Sequence, residues 1–511
     1  MATVGDGKLT RRGTDTLATV LLGHAARTPD APFLVFERAP GRVEHTTYRE
    51  QAERAARTAA TLARHGVRAG ERFCVNLTNR PEFYDLWFGA AFLGATIVPV
   101  NPLSTVDELG YLVRHAGCEV VVTQSDLVGT AHGTGAAKVL DVDAPWLAED
   151  ALDQPAATDP ASTLGVLYTS GTTSRPKGVE VSHAAYLFCG DAVAGHLRVR
   201  PDDRQLIVLP LFHGNAQYYS TMSALVTGAS IALAPRFSAS RWSTQAATLG
   251  ATVASLFAAP IRMILAADPD DNDTAHALRV VMFAQNVTDQ ALATFERRFA
   301  VPLVQLYGMT ETVVPPTINP LYEDRRGRSI GRPLPGITVR VAGPDDEDVP
   351  FGEPGELLVH GEPGRTIMTR YLHDPEATAT TLRDGWLHTG DTVTLGADGY
   401  LAFVDRRKDM IKRAGENVAS GEVERVVDEH PAVFESAAVG VPDEMRDEAI
   451  HVYVVRHRGA SLEEEELLAH CRERMAKFRV PDRVIFVDDL PRTSVGKIQK
   501  HLIRRREGQH P

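Results

Sequence analysis

Cysteine is scarce in this chain of 511 residues, and its placement argues against one class of site. The four cysteines, Cys74, Cys118, Cys189 and Cys471, are scattered, and none forms a Cys-x-x-Cys pair. This spacing is not that of a zinc site. In a protein of this length, isolated cysteines indicate buried thiols in a reducing cytosol, so we expect a cytoplasmic protein.

Long apolar segments and a surplus of basic residues are also missing. The longest apolar runs, such as WFGAAFLGATIVPV, are interrupted by glycine and proline, so no membrane span is expected. The N-terminal MATVGDGKLTRRGTDT lacks the apolar core of a secretory signal. A net charge of −12 implies no broad basic surface, so we expect neither nucleic acid nor an anionic membrane as the main partner.

The order of the segments predicts an α/β protein with at least two domains, because 511 residues exceed what one hydrophobic core holds. Strand-like and helix-like segments first alternate, which predicts two α/β lobes with parallel sheets. From about Ser329, short strands with glycine turns predict a β-rich subdomain. An α+β pattern follows the charged segment DRRKDMIKR, so we expect an N-terminal body over 1–404 and a small C-terminal domain over 405–511.

The stretch TSGTTSRPKG at 169–178 has an unusual composition. It holds five hydroxyl residues, two glycines, an arginine and a lysine between two strand-like segments. It lacks the spacing of a Walker loop, but hydroxyl groups, glycine and a lysine charge suit a polyphosphate. From the residues alone, a phosphate-binding loop and a polar surface loop are both compatible with this stretch.

Four further motifs accompany this loop: YGMTET at 307–312, LHTGD at 387–391, DRRKDMIKRAGEN at 405–417 and PRTSVGKIQK at 491–500. Each is weak alone, but their order and spacing are specific. With them the chain resembles the adenylate-forming superfamily of acyl-CoA synthetases, peptide-synthetase adenylation domains and luciferases. The resemblance spans nearly the whole chain and is closest to the crotonobetaine/carnitine-CoA ligase branch, through PLFHGNAQYYSTMSALVTGAS, MRDEAI and MAKFRVP.

The resemblance implies a nucleotide site. The hydroxyl-rich loop would hold the β- and γ-phosphates of ATP, and Tyr307 would stack near adenine opposite the segment at 284–286. Asp391 would accept both ribose hydroxyls, and Arg406 would steady the ribose or a phosphate. The implied nucleotide-binding residues are Thr169, Ser170, Gly171, Thr172, Thr173, Lys177, Ala284, Gln285, Asn286, Tyr307, Gly308, Asp391 and Arg406.

The resemblance also implies the groups that carry the chemistry. Thr310 would bind the α-phosphate, and Glu311 would hold Mg²⁺, a hard cation suited to oxygen ligands. Lys497 would reach both the attacking carboxylate and the α-phosphate in the first half-reaction. The small C-terminal domain would be mobile, rotating about Lys408 between two half-reactions. The residues implied for the substrate pocket are His213, Gln217 and Tyr218.

Two segments depart from the pattern of the family. Residues 284–286 read Ala-Gln-Asn where Gly-Gly-Ala is usual, so Gln285 and Asn286 would alter the purine slot or the substrate pocket. Residues 414–417 read Ala-Gly-Glu-Asn where Gly-Gly-Glu-Asn is usual. Either the methyl group of Ala414 narrows the tunnel for the pantetheine of CoA, or the change is harmless.

The predicted function is ATP-dependent adenylation of a small carboxylic acid, with release of pyrophosphate and transfer of the acyl group to CoA. One alternative keeps adenylation but activates nitrite for attack by an aromatic amine, which gives a diazo compound. A second alternative is an inactive binding or scaffold protein, and the presence of Lys497, Glu311 and Asp391 argues against it. A homodimer is a further expectation.

Overall fold

The computed structural model describes residues 3–4, 13–169, 176–322, 325–327, 329–406, 409–413, 416–443, 447–493, 496 and 498–507. Within these ranges, no helix combines the length and apolar character that a bilayer crossing requires. The four cysteines are all buried and unpaired, as the sequence predicts.

The described helices are distributed over the whole chain. A π-helical segment covers Asn215–Thr221, and short 3₁₀ turns cover Ser125–Leu127, Ala239–Arg241 and Lys477–Arg479. The α-helices are α1 (Leu17–Arg27), α2 (Tyr48–Arg64), α3 (Pro81–Leu93), α4 (Val106–Ala116), α5 (Val128–His132), α6 (His183–Leu197), α7 (Met222–Thr227), α8 (Trp242–Thr248), α9 (Ala258–Ala266), α10 (Asp289–Phe299), α11 (Pro375–Thr381), α12 (Ser420–Asp428), α13 (Glu464–Arg474) and α14 (Lys500–Glu507).

The described strands form four sheets. In chain order they are β1 (Thr3–Val4), β2 (Pro32–Ala39), β3 (Arg42–Thr47), β4 (Arg72–Asn76), β5 (Thr96–Pro99), β6 (Val120–Thr123), β7 (Lys138–Asp141), β8 (Thr163–Thr169), β9 (Lys177–Ser182), β10 (Arg204–Ile207), β11 (Ser230–Leu233), β12 (Val253–Phe257), β13 (Val280–Ala284), β14 (Leu303–Tyr307), β15 (Thr317–Ile318), β16 (Arg332–Pro333), β17 (Thr338–Ala342), β18 (Pro354–His360), β19 (Arg370–Tyr371), β20 (Leu382–Arg383), β21 (Trp386–Leu395), β22 (Leu401–Arg406), β23 (Ile411–Arg413), β24 (Glu416–Val418), β25 (Val433–Asp443), β26 (Asp447–Arg456) and β27 (Arg483–Phe486).

Local sequence explains the bounds of the helices at the surface. Thr47 and Glu50 form a capping box at the start of α2, with the Thr47 amide donating to the Glu50 carboxylate at 2.8 Å. The helix ends just before Gly66, which has a φ of +96°. A second capping box, between Thr105 and Glu108, begins α4, and Gly117 ends it in the left-handed conformation.

Two largely parallel sheets form the body of the protein. The N-terminal sheet has the order β19-β9-β8-β5-β4-β6-β7, and β8 and β9, the strands before and after the hydroxyl-rich stretch in the sequence, pair antiparallel. The central sheet has the order β16-β15-β14-β13-β12-β10-β11-β2-β3. Its inner strands, from β14 to β2, run parallel to one another. This arrangement confirms the two predicted α/β lobes.

The remainder of the chain is richer in antiparallel strands. An antiparallel sheet has the order β1-β17-β18-β21-β20, with β22 also paired to β21, and it corresponds to the predicted β-rich subdomain. The C-terminal sheet has the order β24-β23-β26-β25, with β27 on β26. A separate apolar core lies in this last part and includes Val423, Ile450 and Leu467. A boundary between residues 404 and 405 stays a prediction.

Candidate active site

The candidate site lies at the carboxyl ends of β13 and β14 in the central sheet. These strands are parallel neighbours, and Ala284 lies opposite Leu306. The segment 284–286 and the motif that begins with Tyr307 therefore leave the sheet at the same edge. Ligands of open α/β sheets bind at this edge, where loops diverge and backbone groups are free.

A buried carboxylate at this edge is held by two residues of the candidate site. The Tyr307 hydroxyl donates to Asp391 Oδ2 at 2.6 Å, and Arg406 Nε lies 3.4 Å from Asp391 Oδ1. Asp391 and Arg406 are paired across β21 and β22, so the sheet register fixes their proximity. Burial and the charge of Asp391 raise the pKa of Tyr307, so the phenol remains a donor at neutral pH.

The segment at 284–286 has a backbone that glycine normally adopts. Gln285 has a φ of +74°, a conformation that L-residues other than glycine rarely take. The buried Gln305 supports it, because its amide Nε2 donates to Gln285 O at 3.2 Å and to Asn286 Oδ1 at 2.7 Å. Ala284 is buried and Asn286 is exposed. The structure therefore accommodates the departure from Gly-Gly-Ala by a side-chain clamp from the neighbouring strand.

Glu311 connects the YGMTET motif to the hairpin of the hydroxyl-rich loop. The Tyr371 hydroxyl donates to Glu311 Oε1 at 2.8 Å, and Lys177 Nζ lies 4.8 Å from the centroid of the Tyr371 ring. Thr169 and Lys177 face each other at the end of the hairpin. These contacts place Glu311 at the hydroxyl group of Tyr371 and Lys177 over the ring of the same tyrosine.

The residues predicted for the substrate pocket lie in and just before the π-helical segment. The Tyr186 hydroxyl donates to Gln217 Oε1 at 2.6 Å, and Gln217 Nε2 donates to Leu211 O at 2.7 Å. The Tyr218 hydroxyl lies 3.4 Å from the carbonyl oxygen of Thr310, which joins this helix to the motif at 307–312. π-Helical segments are rare and often occur at functional sites.

His213 is adjacent to this helix, and its environment keeps it neutral. Burial lowers the pKa of His213 to about 4. Its ring lies 4.3 Å, between centroids, from that of Phe212. A neutral imidazole can line an apolar pocket or donate one hydrogen bond, but it adds no positive charge near pH 7.

Gly308 has a packing role that its position in the motif did not reveal. A Cβ atom at this position would collide with the hydroxyl group of Tyr219. The glycine thus allows the π-helical segment to pack closely against the motif. Thr310, two residues further on, is partly exposed.

Several predicted residues lie outside the described part of the chain. They are Ser170, Gly171, Thr172, Thr173, Lys408, Ala414 and Lys497. Gly496, the residue before Lys497, is described, and a Cβ atom on it would lie 2.8 Å from Cβ of Ala259 in α9. Since α9 directly follows β12, the C-terminal segment reaches the sheet edge that carries the candidate site.

A charged contact joins the same helix to the C-terminal sheet. Arg262 of α9 lies 3.4 Å from Glu435 and 3.7 Å from Asp428. Arg492 also pairs with Glu435, which is almost fully buried. Burial raises the pKa of Asp428 to about 6, and Arg262 opposes that rise.

Sequence reasoning did not find Tyr186, Arg262, Gln305 or Tyr371. None of these residues belongs to one of the sequence motifs described above. No local pattern in the sequence therefore identifies them. In the part of the chain that the structure describes, no group of three or more His, Cys, Asp or Glu side chains forms a metal-binding cluster.

Comparison with known proteins places this geometry in a family. The AMP-binding enzyme family matches residues 22–372, and the AMP-binding enzyme C-terminal domain matches residues 422–497. A crotonobetaine/carnitine–CoA ligase from Escherichia coli is 36% identical over 488 residues, which cover 91% of this chain and 94% of that protein.

Two solved structures are similar over nearly the full length. An anthranilate CoA ligase in complex with anthranoyl-AMP has a TM-score of 0.87 at 25% identity and covers 97% of this chain and 97% of its own. An o-succinylbenzoate CoA synthetase from Bacillus subtilis, in complex with its acyl-adenylate intermediate, has a TM-score of 0.85 at 27% identity and covers 97% of this chain and 99% of its own. The chain therefore belongs to the AMP-binding enzyme family, with a mixed α/β body and a smaller C-terminal part that carries its own sheet.

Proposed function

We propose that this protein is an ATP-dependent acid–thiol ligase that converts a small carboxylic acid to its CoA thioester. The observation that carries the proposal is the buried Asp391 carboxylate, held by Tyr307 and Arg406 at the carboxyl edge of a parallel sheet. A carboxylate in this setting suits the two hydroxyl groups of a ribose. Relatives named CoA ligases, at 36% identity, support the second step.

The reaction has two displacements. In the first, a carboxylate oxygen of the acid attacks the α-phosphorus of ATP, and the bond to pyrophosphate breaks to leave an acyl-AMP. In the second, the thiolate of CoA attacks the acyl carbon, and the bond to AMP breaks. Both steps develop negative charge at phosphate oxygens, so fixed positive charges and hydrogen-bond donors provide most of the catalysis.

We assign the nucleotide contacts to the residues at the sheet edge. Asp391 would accept hydrogen bonds from both ribose hydroxyls, with Arg406 beside it. Tyr307 and the segment at 284–286 would form the two sides of the adenine slot. Thr310 would donate to the α-phosphate, and Lys177, with the hydroxyl-rich loop, would hold the β- and γ-phosphates.

Mg²⁺ suits the donor set at Glu311. Glu311 supplies a carboxylate, which is a hard oxygen ligand. Mg²⁺ at such sites is bound by one or two carboxylates together with substrate phosphates, and the absence of a larger acidic cluster among the described residues agrees with this mode. When bound, Mg²⁺ would neutralise phosphate charge.

The C-terminal domain would supply Lys497 to the first step and then turn about Lys408. The packing of Gly496 on Ala259 supports the approach of this segment to the site. His213, Gln217 and Tyr218 would border the acid. Their side chains are neutral, so the shape of the pocket and its hydrogen bonds would select the acid.

The buried, unpaired cysteines support a cytoplasmic location. We also propose a homodimer as the assembly to test.

The nitrite-activating alternative has no observation in its favour. None of the relatives reported above is named for nitrite or diazo chemistry. Two departures from the family pattern left room for this alternative: the segment at 284–286, whose backbone is held by Gln305, and Ala414, which lies outside the described residues. The acid and CoA therefore remain the proposed substrates.

The test measures pyrophosphate release with ATP, Mg²⁺ and a panel of small carboxylic acids, followed by thioester formation when CoA is added. Lys497→Ala should abolish adenylate formation but spare transfer from supplied acyl-AMP, because the charge acts at the α-phosphate only in the first step. Lys477→Ala, an exposed lysine of the same domain, is the control. Pyrophosphate release only with nitrite, or equal loss of both steps in Lys497→Ala, would contradict the proposal.

A further inference from the structure

Tyr371 lies between two elements of the nucleotide site and belongs to none of the sequence motifs. It is the second residue of the short strand β19, which pairs with β9 so that Tyr371 faces Val179. Its hydroxyl donates to Glu311 Oε1 at 2.8 Å, and Lys177 Nζ lies over its ring, 4.8 Å from the ring centroid. Tyr371 and Glu311 are each only 6% exposed.

The backbone around Tyr371 fixes it against both elements. The Met368 amide donates to Glu311 O at 3.0 Å, and the Leu372 amide donates to Gly178 O at 2.7 Å. The segment from 368 to 372 is thus bonded to the YGMTET motif at one end and to the strand after the hydroxyl-rich loop at the other. A phenol held in this way has little freedom to leave Glu311.

The chemistry of the phenol suits a fixed donor. A tyrosine hydroxyl ordinarily titrates near pH 10, roughly three units above neutrality, so it is protonated in the physiological range and donates its hydrogen bond to the Glu311 carboxylate. A donor on one carboxylate oxygen selects the rotation of the group and leaves the carboxylate anionic.

We propose that Tyr371 is a positioning residue for the divalent cation of the nucleotide complex: it fixes the Glu311 carboxylate for the cation while its ring holds Lys177 toward the phosphates. This inference rests on the proposed function, because it presumes that Glu311 is a ligand of Mg²⁺. In this role Tyr371 acts through Glu311 and Lys177, the two residues that it contacts. Partners that orient a metal ligand in this way typically change metal affinity by about 10–100-fold when removed.

The test is Tyr371→Phe, which removes the hydroxyl and retains the ring over which Lys177 lies. Mn²⁺ binding is titrated by electron paramagnetic resonance with ATP present and no acid, so that no turnover is required. We expect the affinity for Mn²⁺ in the presence of ATP to fall about tenfold. The affinity for ATP in EDTA, measured by calorimetry, should change by less than about twofold, because the cation–π contact remains.

Tyr48→Phe is the matched control. Tyr48 is buried in α2 and its hydroxyl donates to Ala229 O at 2.7 Å, and neither residue is assigned to the nucleotide or to the cation. Removal of either hydroxyl breaks one buried hydrogen bond and should lower stability to a similar extent, but only Tyr371→Phe should change Mn²⁺ affinity. The melting temperature of each variant shows that the comparison is made on folded protein.

A double-mutant cycle tests whether Tyr371 changes Mn²⁺ affinity through Glu311. If Tyr371 acts through Glu311, Tyr371→Phe should add no further loss of Mn²⁺ affinity in a Glu311→Gln background. Equal losses in both backgrounds, or unchanged Mn²⁺ affinity in Tyr371→Phe, would overturn the role of Tyr371 and leave the ligase proposal standing. If the wild-type protein binds Mn²⁺ no better with ATP than without it, both proposals fail together.

Discussion

The hydroxyl group of Tyr307 donates a 2.6 Å hydrogen bond to Asp391, although the two residues are 84 positions apart. Tyr307 ends a parallel strand of the central sheet, and Asp391 belongs to the antiparallel sheet. The bond therefore ties the proposed adenine side of the site to the proposed ribose side. Its geometry fixes one carboxylate oxygen and orients the other toward Arg406.

Asp391→Asn should mainly lower the efficiency with which the enzyme uses ATP. A hydrogen bond to a charged group is worth about 1.5–3 kcal/mol, and the proposed ribose contact has two of them, so kcat/KM for ATP should fall by roughly 100-fold or more. Discrimination against 2′-deoxy-ATP should shrink in parallel. Steady-state kinetics with both nucleotides measures this, and Asp30→Asn, an exposed carboxylate paired with Arg49, is the control. Retained discrimination in Asp391→Asn would rule out a ribose contact.

Gln305→Leu should raise KM for ATP about five- to tenfold, because it removes the amide whose two hydrogen bonds hold the segment with the left-handed Gln285 backbone. A net loss of about 1 kcal/mol corresponds to roughly this factor. Gln205→Leu is a closely matched control. Gln205 is buried in the same sheet and donates one side-chain hydrogen bond, to Ser223 Oγ at 2.9 Å. Its Oε1, like that of Gln305, has no partner among the described residues. If the two variants change KM equally, the clamp has no specific role.

Arg262→Ala should slow adenylate formation more than transfer from supplied acyl-AMP. Arg262 contacts Glu435 and Asp428 in the arrangement that brings Gly496 onto Ala259. Since Arg492 still neutralises Glu435, we expect about a tenfold loss, which corresponds to roughly 1.4 kcal/mol.

Pyrophosphate exchange and thioester formation from supplied acyl-AMP report the two half-reactions of Arg262→Ala separately. Arg425→Ala provides the control, because Arg425 of α12 pairs at 3.1 Å with Glu429, the residue directly after that helix. An equal change in both half-reactions would show that the contact with Arg262 does not favour one domain arrangement.

His183 should make the protein less stable in mild acid. Burial lowers the pKa of His183 from 6.5 to about 4, and its Nδ1 accepts a hydrogen bond from the Leu17 amide, which requires a neutral ring. Between these pH values the unfolded chain binds a proton that the folded protein does not, so stability falls as pH falls. The full effect is about 3 kcal/mol, because one pKa unit corresponds to about 1.4 kcal/mol.

His183→Asn should therefore flatten the loss of melting temperature between pH 6.5 and pH 4.5, since Asn cannot take up a proton there. His132→Asn, at an exposed position, should leave the slope unchanged. A slope in His183→Asn that equals that of the wild type would assign the acid sensitivity to other groups.

Much of the fold follows from local patterns in the sequence. The strands that flank the hydroxyl-rich loop are found where the sequence predicts them. The capping residues Thr47 and Glu50 begin α2, and the glycine at 66 follows its end, as their residue types favour. These features are local: a cap, a turn or an alternating strand depends on residues within a few positions of each other. The same is true of the sequence motifs, whose order identified the family before any contact was known.

The contacts at Tyr371, Gln305 and Arg262 could not be obtained in this way. Each joins residues of different elements or loops that are 19 or more positions apart, and nothing in the neighbouring residues marks them. The φ of +74° at Gln285 is a further case, because a clamp on another strand permits a conformation that the residue itself disfavours. The sequence shows where the motifs lie along the chain, but it does not show which distant residues contact them.

The sequence by itself determined the family, the alternation of strands and helices, and the residue types at the proposed nucleotide site, since these depend on short-range order along the chain. Only the tertiary structure decided which side chains hold Asp391 and Glu311 in place. The physical reason is that hydrogen bonds and ion pairs act over a few ångströms in space. The register of paired strands, such as that of Asp391 with Arg406, sets those distances, and it is established only when the whole sheet has formed.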